Sequence, residues 1–184
     1  MTSKIFLTGS PGVGKTTVLR KTVEELRRSR IRVAGMITED VREHGARVGF
    51  KVTDILTGNE GGLASTRRAV GPRIGKYVVD LEGLEVVGVQ AITDALHDPE
   101  VSTIVIDEVG PMELLSEKFK MAVRQTINST KAIVGTIHYR ANDPLLQEIR
   151  SSLRLSIVTV TVDNRSSLPQ QLVEKITNQG GRQS

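Results

Sequence analysis

Gly9-Ser10-Pro11-Gly12-Val13-Gly14-Lys15-Thr16, with Thr17 next in line, follows a short apolar run and precedes an amphipathic stretch, so the chain opens as strand, tight loop and helix. The Gly-x4-Gly-Lys-Thr spacing has a physical reason. Glycines let the loop curl until consecutive backbone N–H groups face inward on phosphate oxygens, and the helix behind adds the positive end of its dipole. The pattern assigns Lys15 to the β and γ phosphates of a nucleoside triphosphate and the Thr16 hydroxyl to Mg2+.

Working outward from the loop, apolar runs suited to buried parallel strands recur at 4–8, 32–38, 101–107, 131–138 and 155–162. Helical stripes separate most of them: Val18, Leu19, Val23 and Leu26; Leu115, Phe119, Val123 and Ile127; Leu145, Leu146 and Ile149; Leu168, Leu172 and Ile176. Strands alternating with helices at this rhythm give an α/β fold, a mostly parallel sheet with helices on both faces. Residues 39–80 break the rhythm. They are rich in glycine, and 47–55 alternates like an antiparallel strand, so this segment reads as an inserted hairpin with loops, 41–46 connecting strand 32–38 to strand 47–55. A short strand at 76–80 and a helix at 84–97 follow. One domain is expected over 1–178, with a polar, disordered tail at 179–184.

The second chemical constellation is Thr103-Ile104-Val105-Ile106-Asp107-Glu108, a buried strand that ends in two adjacent carboxylates. Ligands in open α/β sheets bind beyond the carboxyl ends of strands. Asp107 is placed to hold the hydration shell of the Mg2+ that Thr16 also touches, and Glu108, one residue on, to orient and deprotonate a water aimed at the γ phosphorus. The long separation of Lys15 from Asp107 leaves room for a strand between theirs, an arrangement associated with ATPases that carry their own catalytic glutamate.

Composition narrows the partners. Cysteine is absent, which excludes disulfides and thiolate metal sites, and His44, His97 and His138 form no ligand pattern, so a metal here is a hard cation held by oxygen. No apolar run is long enough for a membrane span and no signal segment opens the chain, so a cytoplasmic location is expected. The 25 Lys and Arg against 21 Asp and Glu are mostly interleaved, and with 3% aromatic residues nucleic acid is not expected as a partner. The one dense cluster, Arg27-Arg28-Ser29-Arg30-Ile31-Arg32, falls where the first helix ends and complements its carbonyls. The protein is expected to act as a monomer.

Other polar residues close expected elements. Thr136 and His138 end the fourth core strand, where a side chain could sense a γ phosphate; an ordinary strand terminus is the competing reading. Asn164 and Arg165 follow the last strand and could reach the nucleotide, or build a turn and a surface. Arg67, Arg68 and Arg73 could act as a lid or an arginine finger. Glu113 opens a helix, where a carboxylate suits the dipole with or without a catalytic role.

The chain resembles a family through Gly-Ser-Pro-Gly-Val-Gly-Lys-Thr-Thr at 9–17, Gly-x-Ile-Thr-Glu at 35–39, Arg-x-Gly-Phe at 47–50, Tyr-Val-Val-Asp-Leu at 77–81, Ile-Asp-Glu-Val-Gly-Pro-Met-Glu-Leu at 106–114, Gly-Thr-Ile-His at 135–138 and Asn-Arg at 164–165. These are similar to the small nucleoside-triphosphatases of thermophilic archaea and bacteria and their vertebrate relative, the cancer-related nucleoside triphosphatase. The resemblance implies a P-loop NTPase three-layer sandwich and Mg2+-dependent hydrolysis of ATP, GTP, CTP and UTP to diphosphates with little preference among bases. It also implies nucleotide-binding segments at 9–16 and at Thr103, Ile104, Val105, Ile106, Asp107, Glu108, Val109 and Gly110. Two alternatives share the loop: a kinase passing the γ phosphate to a nucleoside, nucleotide or polynucleotide, and a nucleotide-dependent switch that docks RNA or protein.

Overall fold

The computed structural model describes residues 2–180. In β1 (Lys4–Thr8) successive side chains alternate, Ile5 and Leu7 joining one apolar cluster and Phe6 the other, so both faces of the strand are buried. The same division runs through β7 (Thr103–Val109), where Ile104 and Ile106 share the cluster of Phe6 and Val105 that of Ile5. Two cores, one on each side of a single sheet, follow from this pattern.

Between β1 and β7 lie α1 (Lys15–Arg28), β2 (Val33–Glu43), β3 (Ala46–Asp54), β4 (Glu60–Ser65), β5 (Arg73–Ile74) and β6 (Tyr77–Val79). Then α2 (Leu81–Gly83) runs through a π-helical stretch, Leu84–Val89, into α3 (Gln90–His97). After β7 come the 3-10 turn Glu113–Leu115, α4 (Glu117–Asn128), β8 (Ala132–Ile137), α5 (Pro144–Ser151), β9 (Ser156–Thr159) and α6 (Leu168–Gly180). Residues of α1 and α6 fill one core, and residues of α3, α4 and α5 fill the other. The three-layer sandwich expected from the alternation is what forms.

The sheet order is β5-β6-β4-β3-β2-β7-β8-β1-β9. From β2 to β9 all neighbours are parallel, while β3, β4, β6 and β5 extend the sheet in antiparallel fashion beyond β2. A strand does stand between β1 and β7, but it is β8, which follows β7 in the chain, and not one drawn from the residues between the two motifs.

Several boundaries move. The connection expected at 41–46 is a two-residue turn, His44 and Gly45, both at positive φ (48° and 82°), so β2 and β3 pair up to Glu43 and Ala46. Positive φ at both central positions matches the right-handed twist of the flanking strands and allows this tight closure. The strands β4 and β5 were not anticipated: β4 carries Gly61 and Gly62, and β5 is two residues long, so neither shows an apolar period. Helix begins at Leu81 rather than 84, capped by the Asp80 carboxylate accepting from Gly83 N–H at 3.0 Å. Leu115 is in the 3-10 turn and 39% exposed, outside the buried stripe that starts at Phe119. Helix α6 reaches Gly180, two residues into the segment expected to be a disordered tail; 181–184 lie outside the described residues.

Candidate active site

The loop from Gly9 to Gly14 turns the chain from β1 into α1 with Gly9, Gly12 and Gly14 all at positive φ (144°, 77° and 108°). Gly14 is the N-cap of α1 in the left-handed region, with no side-chain cap and no acid in the first turn. By contrast α4 and α5 are capped by Ser116 and Asp143. The amino end of α1 therefore offers its positive pole and its amides to an anion from outside the chain. At the other end Arg27 and Arg28 occupy the last turn, and Arg32 pairs with Asp98 at 3.4 Å, so the basic cluster serves the helix terminus and its surroundings.

Lys15 extends back over the loop, its Nζ donating to Gly9 O at 3.2 Å and standing 4.0 Å from Glu108 Oε2. Asp107 is fully buried behind Glu108. One carboxylate oxygen accepts from the Thr136 hydroxyl, whereas Oδ2 has no hydrogen-bond partner. Burial pushes the Asp107 carboxyl up to about 6 against the opposing pull of the Thr136 hydroxyl; Glu108 pushes it further, and Thr16 and Arg20 oppose. Burial also raises Glu108, with Lys15 pulling down. Glu113 is 5% exposed and pushed up to about 8, first by burial, with the Glu108 and Asp107 carboxylates adding. The β7–β8 register shifts between Ile106 and Val109, so Glu108 leaves the regular ladder.

Lys15, Glu108 and Glu113 share a cleft of about 750 Å³, whose wall Asp107, buried behind Glu108, does not reach. Of the anticipated residues, Gly9, Pro11, Gly12, Gly14, Lys15, Thr16, Thr17, Glu108 and His138 line it. Ser10 and Val13 complete the loop without facing the cleft, and Thr103, Ile104, Val105, Ile106 and Val109 are buried members of β7. Gly110 lies against Glu108 and Glu113. Thr136 does not face the cleft; its hydroxyl orients Asp107 instead. His138 Nδ1 accepts from the backbone N–H of Ala141 at 2.9 Å and of Arg140 at 3.2 Å, which leaves Nε2 to carry the proton. Burial, then Lys15 and Arg150, lower its pKa, so the ring is neutral and a hydrogen-bond donor.

The remaining candidates are elsewhere. Asn164 builds a turn, accepting from Thr161 N–H at 2.8 Å and donating to Thr159 O at 2.9 Å. Arg165 rests against the outside of the loop, donating to Val13 O at 3.3 Å. Arg67 pairs with Glu43 and Arg68 with Asp80, both in a second groove on the hairpin, and Arg73 is exposed on β5. None of these three arginines lines the main cleft.

In their place the cleft takes residues to which motif reading assigned no role: Arg20, Asp40 and Tyr139, with Glu39, Arg47 and Phe50 from the motifs at 35–39 and 47–50, among them. Arg20 lies one helical turn beyond Thr16 on the same face, a spacing that could have flagged it. It pairs with Glu39 at 2.6 Å. Arg47 pairs with Asp40 at 2.8 Å and lies 5.3 Å from the Phe50 ring centroid. The arrangement joins an anion-binding loop, a buried carboxylate with a free oxygen, and a half-open carboxylate facing an ammonium.

The family model described as NTPase matches residues 4–173. This chain belongs to that NTPase family. Among its relatives, Nucleoside-triphosphatase THEP1 of Thermofilum pendens is 48% identical over 180 residues, 97% of this chain and 98% of the relative. The protein of the same name from Methanosarcina acetivorans is 41% identical over 176 residues, 95% of each chain. A crystal structure of THEP1 from the hyperthermophile Aquifex aeolicus is similar with a TM-score of 0.82 and 32% identity, covering 94% of this chain and 98% of that one. The solution structure of a human cancer-related nucleoside triphosphatase is similar with a TM-score of 0.80 and 36% identity, covering 99% and 100%. Among the described residues no helix is long and apolar enough to cross a membrane.

Proposed function

We propose that the protein hydrolyses nucleoside triphosphates, ATP, GTP, CTP and UTP alike, to the diphosphate and inorganic phosphate with Mg2+. The observation that carries this reading is the facing pair Lys15 Nζ and Glu108 Oε2, 4.0 Å apart at the mouth of a glycine loop, with Asp107 buried behind. The loop amides and Lys15 hold the β and γ phosphates, groups common to all four substrates, which supports breadth toward the base.

Asp107 suits Mg2+ because its Oδ2 is buried without a hydrogen-bond partner while Thr16 bears on the same carboxyl. Thr16 and Asp107 would hold the ion, directly or through its water, and when bound it neutralises charge developing on the β and γ oxygens. Glu108 orients the attacking water and accepts its proton as the oxygen–phosphorus bond forms and the bond to the diphosphate breaks. His138, which lines the cleft with its pKa lowered by burial and Nε2 left to donate, would contact a phosphate oxygen.

A kinase is the second reading, because the cleft continues past the loop to Phe50, Leu63 and Ile74, where an acceptor would sit. The strand between β1 and β7 favours the hydrolase. Both are tested by following phosphate release from the four triphosphates with Mg2+, with and without added nucleosides and nucleoside monophosphates. Hydrolysis predicts inorganic phosphate from each triphosphate in the absence of acceptor; label found only on an added acceptor would replace this reading by the kinase.

A further inference from the structure

Glu113 is a carboxylic acid held almost entirely out of solvent. Its side chain opens the 3-10 turn after Pro111 and Met112, lines the cleft, and is 5% exposed. The groups that bear on its ionisation are burial, the backbone N–H groups of Glu113 and Gly110, and the carboxylates of Glu108 and Asp107, with no cation among them. A helix-dipole role, which would favour the ionised form at the surface, does not account for an acid in this position.

Gly110 explains where the carboxyl goes. A Cβ built on its α-carbon would lie 2.9 Å from Glu108 Oε1 and 3.2 Å from Glu113 Oε2, so both carboxyl groups close over the same bare carbon. The turn between them is pinned by Leu114 N–H donating to Gly110 O at 2.9 Å. The Gly110 φ is not in the left-handed region, so glycine is required here for the space it leaves and not for its backbone freedom.

We propose that Glu113 is a positioning residue for hydrolysis: its carboxyl group hydrogen-bonds across Gly110, directly or through one water, to Glu108 and fixes the oxygen that receives the proton of the attacking water. This rests on the assignment of Glu108 made above. The negative charge of Glu108 disfavours ionisation of Glu113, and of the two carboxyls a proton stays on the one that burial penalises more. Glu113 is the more deeply buried and keeps it, consistent with its rise to about 8, while Glu108 faces Lys15 and stays ready to accept. During the reaction the water oxygen bonds to the γ phosphorus, the bond to the bridging oxygen breaks, and the water proton passes to Glu108 and then to solvent. Glu113 retains its own proton throughout. The other titratable or charged groups facing this pair are Asp107 on β7, Lys15 and Arg20 on α1, Glu39 and Asp40 on β2, Arg47 on β3, and His138 and Tyr139 after β8.

The test measures kcat, KM and the pH profile of phosphate release for Glu113→Leu, Glu113→Gln and Gly110→Ala, with folding checked by circular dichroism. Glu113→Leu is expected to lower kcat by roughly 10- to 100-fold with KM nearly unchanged. Glu113→Gln, whose amide still donates, recovers part of that loss. Wild-type activity should fall as pH rises past about 8, where Glu113 ionises, and the Gln variant should lack that limb. Gly110→Ala keeps both carboxyls but wedges them apart, so kcat should drop again with binding of a non-hydrolysable triphosphate intact. Turnover by folded Glu113→Leu within about twofold of wild type overturns the proposal; if that variant does not fold, an alkaline limb identical in wild type and Glu113→Gln overturns it. Glu108→Gln separates the two readings: if it hydrolyses like wild type, the assignment of Glu108 fails first, whereas an inactive Glu108→Gln beside unaffected Glu113 variants refutes this inference alone.

Discussion

The two halves of the sheet are built on different principles. On one side of β2 the parallel strands β7, β8 and β1 are buried on both faces and end in the loop and the acidic pair, with β9 a largely exposed edge rather than the buried strand its apolar run suggests; on the other, β3 to β6 form an antiparallel extension with charged, half-exposed faces and abundant glycine. The parallel half carries the groups proposed to act on phosphate. The hairpin half supplies a wall of ion pairs and Phe50, which changes the shape of the cleft without contributing any of the acids or bases assigned to the reaction. Chemistry and shape are thus separated along the sheet, and substitutions in each half should report that separation.

The largest expected effects are in the parallel half. Lys15→Ala removes the one ammonium over the loop and should weaken triphosphate binding and turnover together, by on the order of 1000-fold in kcat/KM. Glu108→Gln keeps the shape and loses the base, so kcat should fall by roughly 100- to 10,000-fold with nucleotide affinity retained. Steady-state kinetics with isothermal titration of a non-hydrolysable triphosphate tell these apart; a Glu108→Gln variant that loses binding instead of kcat would erase the division of labour between the two residues.

Stability should divide the halves as well. Phe6 is fully buried and packed against Gly135, and Phe6→Ala should cost about 3–5 kcal/mol. Phe50 is only half-buried, with an edge-on contact to Tyr77 at 5.1 Å, and Phe50→Ala should cost about 1–2 kcal/mol. Equal losses of denaturation midpoint would mean that the hairpin is as integral to the core as β1.

How far each half could be read from sequence follows from the same division. The parallel strands announce themselves as continuous apolar runs because both faces are covered, and the loop because its glycines and lysine have fixed spacing. The hairpin hides. Its strands β4 and β5 are short and glycine-bearing, and their pairing depends on turn geometry at His44 and Gly45, to which no apolar period points. The site divides likewise: the positions of Lys15, Thr16, Asp107 and Glu108 were legible from their motifs and that of Arg20 from its one-turn spacing to Thr16, whereas Glu39 and Arg47 reach the cleft only because the hairpin folds back beside α1. Thr136 was legible as a strand-end residue, but its partner, a buried Asp107 oxygen two strand ends away in sequence, was not.

A smaller effect concerns the acid buried where the halves meet. Glu113 keeps its proton in the fold up to about pH 8, whereas in the unfolded chain it releases the proton near its ordinary value of 4.5. Between these values the native state binds more protons, so this residue lowers stability as pH rises. Glu113→Gln carries no such penalty and should gain on wild type, by on the order of 3 kcal/mol, as pH is raised from about 5 to about 8. Urea midpoints at the two pH values measure it; a gap that narrows with rising pH would mean that Glu113 ionises freely.

The smallest expected effect is the one that tests the comparison most strictly, because it concerns arginines that sequence alone nominates for catalysis. Arg67 and Arg68 are on the hairpin and point their guanidinium groups at Glu43 and Asp80, in a groove separate from the cleft. The Arg67–Glu43 pair is exposed and the Arg68–Asp80 pair half-buried at the groove surface, so each contributes on the order of 1 kcal/mol to stability. Arg67→Ala and Arg68→Ala should leave kcat within about twofold of wild type, since a guanidinium stabilising the transition state would be worth at least 1000-fold. Arg20 and Arg47 serve as the contrast, being inside the cleft and paired there with Glu39 and Asp40. If Arg68→Ala lost activity on that larger scale while Arg47→Ala did not, the hairpin would have to close over the loop during turnover, and the separation of shape from chemistry along the sheet would hold only for the resting enzyme.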